Sequence, residues 1–416
     1  MAEIQPLHAL RYDPARTGGL QDVVAPPYDV IDPEQRAALV QRSPYNVVAI
    51  DLPEGGEDRY EHAAERLAWW RDEAVVVDDG APTMWTLEQE YVGPDGRRRT
   101  RQGLFARVRV EQYGEGRIRP HERTHPGPRK DRLRLTRATR ANLSPIFSLY
   151  SDPDRRAFAA LSAAAEPWAE TVDDDGTINR LARCDDAGAM ETAQATLAAA
   201  ELLIADGHHR YETARVYADE IGGEGPHRYV LMCLVALQDP GLTVFATHRL
   251  VSDLGAERRR ALADALRAAF DVEPLPDTAA LAPPADDALR IGYLSADDRR
   301  PVMLTLRDRA ITDAALAEHA PPYRRLDTAV LEALILREAL GMTEDDIDEL
   351  NGLGYARDLP EAVALVSDAT YDAAFFMAPT PIERVHEVAA AGESMPPKST
   401  YFFPKVPTGL LFNPLD

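Results

Sequence analysis

The chain has 416 residues, 45% of them apolar and 28% charged, with a formal net charge of −23 from 46 basic against 69 acidic residues. Two or three ordinary domains with this apolar content can bury a large core, which excludes a disordered or disulfide-stapled chain. The acidic balance repels duplex phosphate, and no uninterrupted apolar run reaches the about 18 residues of a membrane span. No basic-then-apolar leader opens the sequence, so the expectation is a cytoplasmic protein that binds neither nucleic acid nor membrane.

In chain order, the first fifty residues are punctuated by proline, with a short helix at 33–42 started by Asp32. Helical spacing over 57–73 (Tyr60, Ala63, Ala64, Leu67, Trp70) precedes strands at 84–92 and 103–110, separated by the turn Pro94-Asp-Gly96. A basic island follows from 117 to 140, rich in arginine and holding His121, His125 and Lys130; its bland explanation is a solvated helix face. Residues 154–200 read as helices about an acidic turn at 173–175. A buried strand at 201–205 runs through Asp206-Gly-His-His-Arg210 into a helix at 211–221, ended by Gly222-Gly223. Beyond it lie strands at 229–237 and 242–247, a helix at 254–270 and strands at 289–294 and 302–307. A helix at 326–341, a strand at 373–377, a helix at 381–391 and a Pro/Thr-rich tail complete the chain. Hairpins mixed with crossovers give an α+β, mixed α/β class. The expected regions are 1–150 with the basic island, 151–275 as the core around Asp206–Arg210, and 276–416, whose tail at 395–405 completes the site.

The sharpest local signal is Ile204-Ala-Asp-Gly-His-His-Arg-Tyr-Glu-Thr-Ala214. A strand ends, a glycine permits a tight turn, and a helix starts whose first amides lack intrahelical partners and favour an anion. His208, His209 and Arg210 oppose the helix dipole at about 0.3–1 kcal/mol each when charged, a conflict that a bound anion removes. Arginine can also grip two phosphate oxygens at once. Asp206 has two competing readings, a Mg²⁺ ligand or acid/base group and a cap on the helix amides.

Only three lysines occur, Lys130, Lys398 and Lys405, so 43 of the 46 basic residues are arginine. A surviving lysine suits work that needs a compact point charge on phosphate. Lys398-Ser-Thr400 looks like the end of a P-loop but lacks its glycines, which excludes a Walker site. Glu122, in His121-Glu-Arg-Thr124, sits within a dozen residues of Lys130-Asp-Arg132. A carboxylate there can take the proton of an attacking hydroxyl while cations neutralise the transferring group. Its bland alternative is a salt bridge inside the island. Thr247-His-Arg249 follows a strand and ranks as a pocket edge. The two cysteines, Cys184 and Cys233, lie far apart, fit no zinc site, and read as buried apolar fillers; a reductase that needs a reactive thiol is disfavoured.

The strand–D-G-H-H-R–helix unit resembles the phosphate motif of the ParB/sulfiredoxin-like fold, as used by SerK-type free L-serine kinases. The wider pattern resembles a prokaryotic family of unknown function designated ten-fifteen. That pattern spans Ala25-Pro-Pro-Tyr-Asp-Val-Ile31, Ser43-Pro-Tyr-Asn46, His121-Glu-x-Thr124, Lys130-Asp-Arg132, Asn142-Leu-Ser-Pro-Ile-Phe147, Asp206–Ala214, Thr247–Val251 and Met395–Lys405. Pro397 departs from it and removes a backbone donor before Lys398. The resemblance implies a nucleotide-binding core and a nucleotide-dependent phosphotransferase using ATP or ADP with Mg²⁺, a free L-serine kinase foremost. A phosphoserine phosphatase using the same site is the alternative. From another class comes a nucleotide-switched ParB-like regulatory protein, which the net charge disfavours. The expected partners are small molecules, serine or phosphoserine, with a homodimer as one option for assembly. Catalysis is expected from Glu122, Asp206 and His209. Phosphate or nucleotide contacts are expected from Gly207, His208, His209, Arg210, Lys130, Arg132, Lys398, Ser399, Thr400 and Lys405. Substrate contacts are expected from His121, Thr124, Asn142, His248 and Arg249, and metal contact from Asp206.

Overall fold

The computed structural model describes the chain apart from Met1, Pro94, Glu115, residues 123–125, Ala285 and Asp287, and apart from the side chains of residues 126–128. Its contacts form two compact units. Unit 1 comprises Met1–Pro120, Thr124–Leu242 and Pro404–Asp416; unit 2 comprises His121–Arg123 and Thr243–Phe403. The class is mixed α/β, and no helix among the described residues is long and apolar enough to cross a membrane.

Unit 1 is built on one twisted sheet. Its strands run in the order Ile118–Arg119, Leu202–Asp206, Ile146–Tyr150, Tyr229–Ala236, Arg98–Arg109, Met84–Val92, Ile178–Cys184 and Glu166–Val172, with Ile4–Gln5 also on Arg98–Arg109. Tyr229–Ala236 is buried at every position, as its unbroken apolar sequence requires for a strand covered on both faces. It runs parallel to Ile146–Tyr150 and antiparallel to Arg98–Arg109. Leu202–Asp206 pairs antiparallel with Ile146–Tyr150, and the register shifts between Ile204 and Asp206. A shift of this kind re-aims the side chain at the strand end. The core beneath gathers Leu104, Ile146, Leu202, Ile204, Tyr211 and Met232.

One expectation in this unit needs correction, and one bland alternative falls away. Residues 166–184 form a hairpin, Glu166–Val172 with Ile178–Cys184, rather than helix. Its period of two is partly carried by a polar residue: Asn179 is buried and accepts a bond from Gln89, while Arg180 faces out to Glu170 and Glu90. Hydrophobicity alone therefore does not mark the strand. The basic island is also not one solvated face. Its helix, Pro126–Thr139, packs on the helices Arg59–Asp72 and His208–Ile221, with Arg137 paired to Glu220 and Asp131 bonded by Arg59 and Tyr60.

Unit 2 carries an antiparallel sheet in the order Phe270–Pro274, Val302–Leu306, Arg290–Ser295, Ala373–Phe376, His248–Val251 and Leu353–Ala356. The expected strand at 242–247 is shortened to Thr243–Phe245, which pairs with Tyr401–Phe403, and a separate strand follows at His248–Val251. The helix expected at 326–341 runs as Asp327–Leu331 and then widens into π turns over Glu332–Ala339.

Candidate functional site

The strand–glycine–helix corner forms as the sequence predicts. Leu202–Asp206 ends, Gly207 adopts φ 96° and ψ 28°, and the helix His208–Ile221 starts with no side-chain cap. A side chain at 207 would meet two obstacles. The left-handed backbone disfavours it, and its Cβ would lie 3.0 Å from both Cζ and Nε of Arg210, whose guanidinium folds back over the glycine. Tyr211, Ala214, Tyr217 and Ala218 bury one face of the helix, which fixes the direction of its N-terminus.

Asp206 neither caps the helix nor stands open to a metal. The N-cap is Gly207, and the carboxylate lies between two cations, accepting from Arg210 on Oδ2 and from Lys405 Nζ on Oδ1. Burial pushes the carboxyl up. Lys405, Arg210 and His208 together outweigh burial and hold it well below the usual carboxylate range. Arg210 also donates to Ser144 Oγ at 2.7 Å and to the Pro145 carbonyl. Among the described residues its buried Nε finds no hydrogen-bond partner, and nor does the buried Thr213 Oγ1. Both residues line a cavity of about 40 Å³ with Asp51, Arg132, Asn142 and Ser144. That volume suffices for one or two water molecules, which would satisfy such atoms.

Lys405 arrives from 199 residues away in sequence. The tail is threaded into unit 1: Thr408 bridges to Ala25, Phe412 to Leu10, and Asn413–Pro414 pairs with Ala141–Asn142. Thr408 Oγ1 lies 2.9 Å from Ser144 Oγ, so one serine holds both the tail and Arg210. The Lys405 carbonyl accepts from Gln89 Nε2 at 3.0 Å, and Gln89 Oε1 in turn accepts from the buried Arg101, 3.1 Å from its Nε. Asn142, expected to touch substrate, accepts from the Leu231 amide and from Asn413. Arg132 is buried, bonded to Asp51 and Asp131 and stacked 4.2 Å over Tyr28. Burial works against its charge, and Asp51 and Asp131 outweigh it and keep the guanidinium protonated. Lys130 is exposed on the same helix. His208 is buried and His209 is half-buried at the helix start.

The remaining expected residues gather in unit 2. His121 is fully buried, with Nε2 2.9 Å from Thr400 Oγ1, 3.8 Å from the Glu122 carboxylate, and its ring edge-on to Phe402. Glu122 pairs as a bridge with Met395, whose amide donates to the His121 carbonyl at 2.7 Å. Lys398 is exposed at φ 56°, a strained value for a residue with a Cβ. Its neighbour Ser399 is buried and donates to the Pro396 carbonyl (2.6 Å), with Thr328 Oγ1 3.0 Å from its hydroxyl, fixing the turn. Pro397, which departs from the family pattern, supplies a carbonyl to Arg249 at 3.0 Å. Arg249 is buried beside Tyr355, and burial pulls its guanidinium down against the raising effects of Tyr355, Asp327, Glu332 and Glu122. His248 accepts from the Met377 amide on Nδ1, and burial with Arg249 pulls it down to about 4. Thr124 lies outside the described residues.

The residues expected at the site are drawn from both units. Asp206, Gly207, His208, His209, Arg210, Lys130, Arg132, Asn142 and Lys405 belong to unit 1; His121, Glu122, His248, Arg249, Lys398, Ser399 and Thr400 belong to unit 2. Sequence reasoning missed Ser144, Gln89 and Arg101 as supports of the corner. Ser144 was visible inside Asn142-Leu-Ser-Pro, where a hydroxyl before a proline marks a rigid turn with a side-chain donor or acceptor. Cys184 and Cys233 are free and buried, as expected, and burial pushes the Cys233 thiol up to about 12. Mg²⁺ does not fit at Asp206 in this arrangement, because both oxygens carry a cation. Among the described residues no group of three acidic, histidine or cysteine side chains could hold a metal.

A mixed α/β protein with an uncapped strand–glycine–helix corner, whose Asp206 is held by Arg210 and by Lys405 from a distant tail, is thus defined by its residues. The family model "Protein of unknown function (DUF1015)" matches residues 4–329, and the chain belongs to that family. No protein of curated function matches it. Among solved structures it is similar to a mutant free serine kinase in complex with AMP, at 11% identity over 72% of this chain and 86% of that one, TM-score 0.39. It is similar to a mutant free serine kinase with ADP at 10% identity, 72% and 87% coverage and TM-score 0.38. A conserved hypothetical protein from Pyrococcus furiosus is matched at 14% identity, 74% and 93% coverage and TM-score 0.36.

Proposed function

We propose that the chain is a nucleotide-dependent phosphotransferase acting on a small hydroxyl metabolite, with free L-serine the leading acceptor and ATP or ADP the donor. The observation that carries this reading is the convergence of Lys405 on the Asp206–Arg210 corner. In an arginine-dominated chain, a lysine brought from 199 residues away to an uncapped helix start supplies a point charge where a phosphate would sit. Serine as acceptor comes from the motif resemblance. In the reaction the acceptor hydroxyl oxygen bonds to the terminal phosphorus of the donor and the bridging P–O bond breaks. ATP then leaves as ADP, or ADP as AMP. Glu122 is the proposed acceptor of the hydroxyl proton. Lys405 and the helix amides take charge on the phosphate oxygens, a type of contribution worth about 2.7–4 kcal/mol per donor. Asp206 keeps Lys405 and Arg210 in place between turnovers. No step is assigned to a metal on Asp206.

The test is incubation of the full chain with ATP or ADP and a panel of hydroxyl amino acids, reading phosphorylated products by mass. A parallel arm supplies phosphoserine and reads released phosphate. The reading expects an L-serine product that Lys405→Met lowers by about a hundredfold or more. Absence of any phosphorylated product with either donor would overturn it.

A further inference from the structure

Unit 2 contains a larger cavity, about 500 Å³, that the corner and its nucleotide do not use. Five arginines reach it: Arg290, Arg309, Arg324, Arg325 and Arg384. Against them stand three aspartates among the described lining residues, Asp286, Asp313 and Asp327. Asp286 is matched to Arg290 at 2.9 Å, and Asp327 accepts from the Thr328 and Ala378 amides, with burial pushing its carboxyl up. Arg324 is locked by backbone carbonyls, from Nε to His319 at 2.7 Å and from a terminal nitrogen to Ala317 at 2.8 Å. Its nearest carboxylate, Asp313, is 3.8 Å away. Arg325 is exposed, and its side chain has no hydrogen bond or ion pair among the described residues. Apart from Thr312 and Thr380, the rest of the wall is apolar, with Leu289, Leu306, Leu326, Pro321 and Pro381.

We propose that this cavity is a binding site for a small organic phosphate, separate from the proposed transferase corner. A volume of this size is typical of metabolite sites, which fall at about 300–1,000 Å³. A carboxylate fills one guanidinium fork, whereas a phosphate ester presents three acceptor oxygens to several at once. The leucine and proline walls accommodate its organic part. In a chain of net charge −23, Arg324, held by carbonyls with its nearest carboxylate 3.8 Å away, and the exposed Arg325 beside it mark a place at this cavity for an anion from outside.

The probe is glycerol 3-phosphate, with glycerol as the uncharged control, titrated into the full chain and followed by line broadening of its phosphorus resonance. Arg325→Glu is exposed and disturbs no bond, and it is expected to weaken binding at least about tenfold by reversing a ligating charge. Lys405→Met, which disables the corner, is expected to leave this binding unchanged, so failure here and failure of the transferase reading are distinguishable. A second readout needs no variant: phenylglyoxal labelling of Arg325, mapped by mass, should slow with glycerol 3-phosphate and not with glycerol. Binding that is unaltered in the Arg325→Glu chain, binding lost only with Lys405→Met, or labelling of Arg325 indifferent to the phosphate overturns the proposal.

Discussion

Asp206→Asn is the most informative single change, because it keeps the shape of the corner and removes the charge at its centre. The wild-type carboxylate is buried between Arg210, with a side chain 10% exposed, and Lys405, 21% exposed. An asparagine retains one acceptor oxygen, so one cation keeps a neutral bond and both lose their counter-ion. Breaking a buried pair from one side typically costs about 3–5 kcal/mol. Two charge-assisted bonds at about 1.5–3 kcal/mol each lead to a similar figure. For a unit of this size, that predicts a fall in melting temperature of about 6–20 °C.

The assay can be confined to the unit concerned. All four tryptophans, Trp69, Trp70, Trp85 and Trp168, lie in unit 1, so tryptophan fluorescence follows its unfolding alone. The pH dependence adds a sign. Folding lowers the Asp206 pKa, so the unfolded chain binds more protons in acid. The contribution is complete above the ordinary carboxylate value of about 4 and drains as pH falls below it. The gap between wild type and the D206N chain should therefore be full at pH 7 and shrink below pH 4. Equal stability at pH 7, or a gap that widens in acid, would refute the clamp.

Gly207→Ala should destabilise unit 1 by about 2–4 kcal/mol, combining left-handed strain with displacement of Arg210, read by denaturant titration on the same fluorescence. Glu122→Gln should lower kcat for the proposed serine phosphorylation by about 10²–10⁴ while nucleotide affinity, measured by calorimetry, stays within a few-fold. His248 is held neutral to about pH 4, so unit 2 should lose on the order of 3 kcal/mol as pH falls from about 6.5 to 4, where the unfolded imidazole protonates first. Tyrosine-monitored unfolding of a His248→Gln chain should show that slope flattened. Lys405→Met and Lys398→Met compare a clamped with an exposed lysine: only the former should also change unit 1 stability in the fluorescence assay.

The corner was legible because three local signals agree: an apolar strand, a glycine at the one position needing positive φ, and a helix whose Tyr211, Ala214, Tyr217 and Ala218 fall on one face. What Arg210 does was not legible. Ser144 and Pro145 lie 66 and 65 residues upstream, and only strand pairing in the sheet brings them to its guanidinium. Glu122 and Lys130-Asp-Arg132, neighbours in sequence, were read as one set, yet they belong to different units. The hairpin at 166–184 was hidden for another reason: its inward position 179 is a buried asparagine that answers Gln89 instead of oil.

The corner carries its own anion, and this constrains any ligand. Lys405 and Arg210 are already neutralised in part by Asp206, so an incoming phosphate gains less than two full cations would give. The compensation is pre-organisation: Asp206, Gln89 and Ser144 fix both cations before binding, so little side-chain entropy is lost at encounter. Removing the carboxylate should therefore have opposed effects on affinity and on turnover. Phosphate attraction rises as the counter-ion disappears, while Lys405 loses the contact that aims it. A D206N chain that binds nucleotide as well as wild type or better, yet transfers phosphate more slowly, is what a positioning role requires. Binding and turnover falling together would instead make Asp206 part of the nucleotide contact itself, as no cation clamp would.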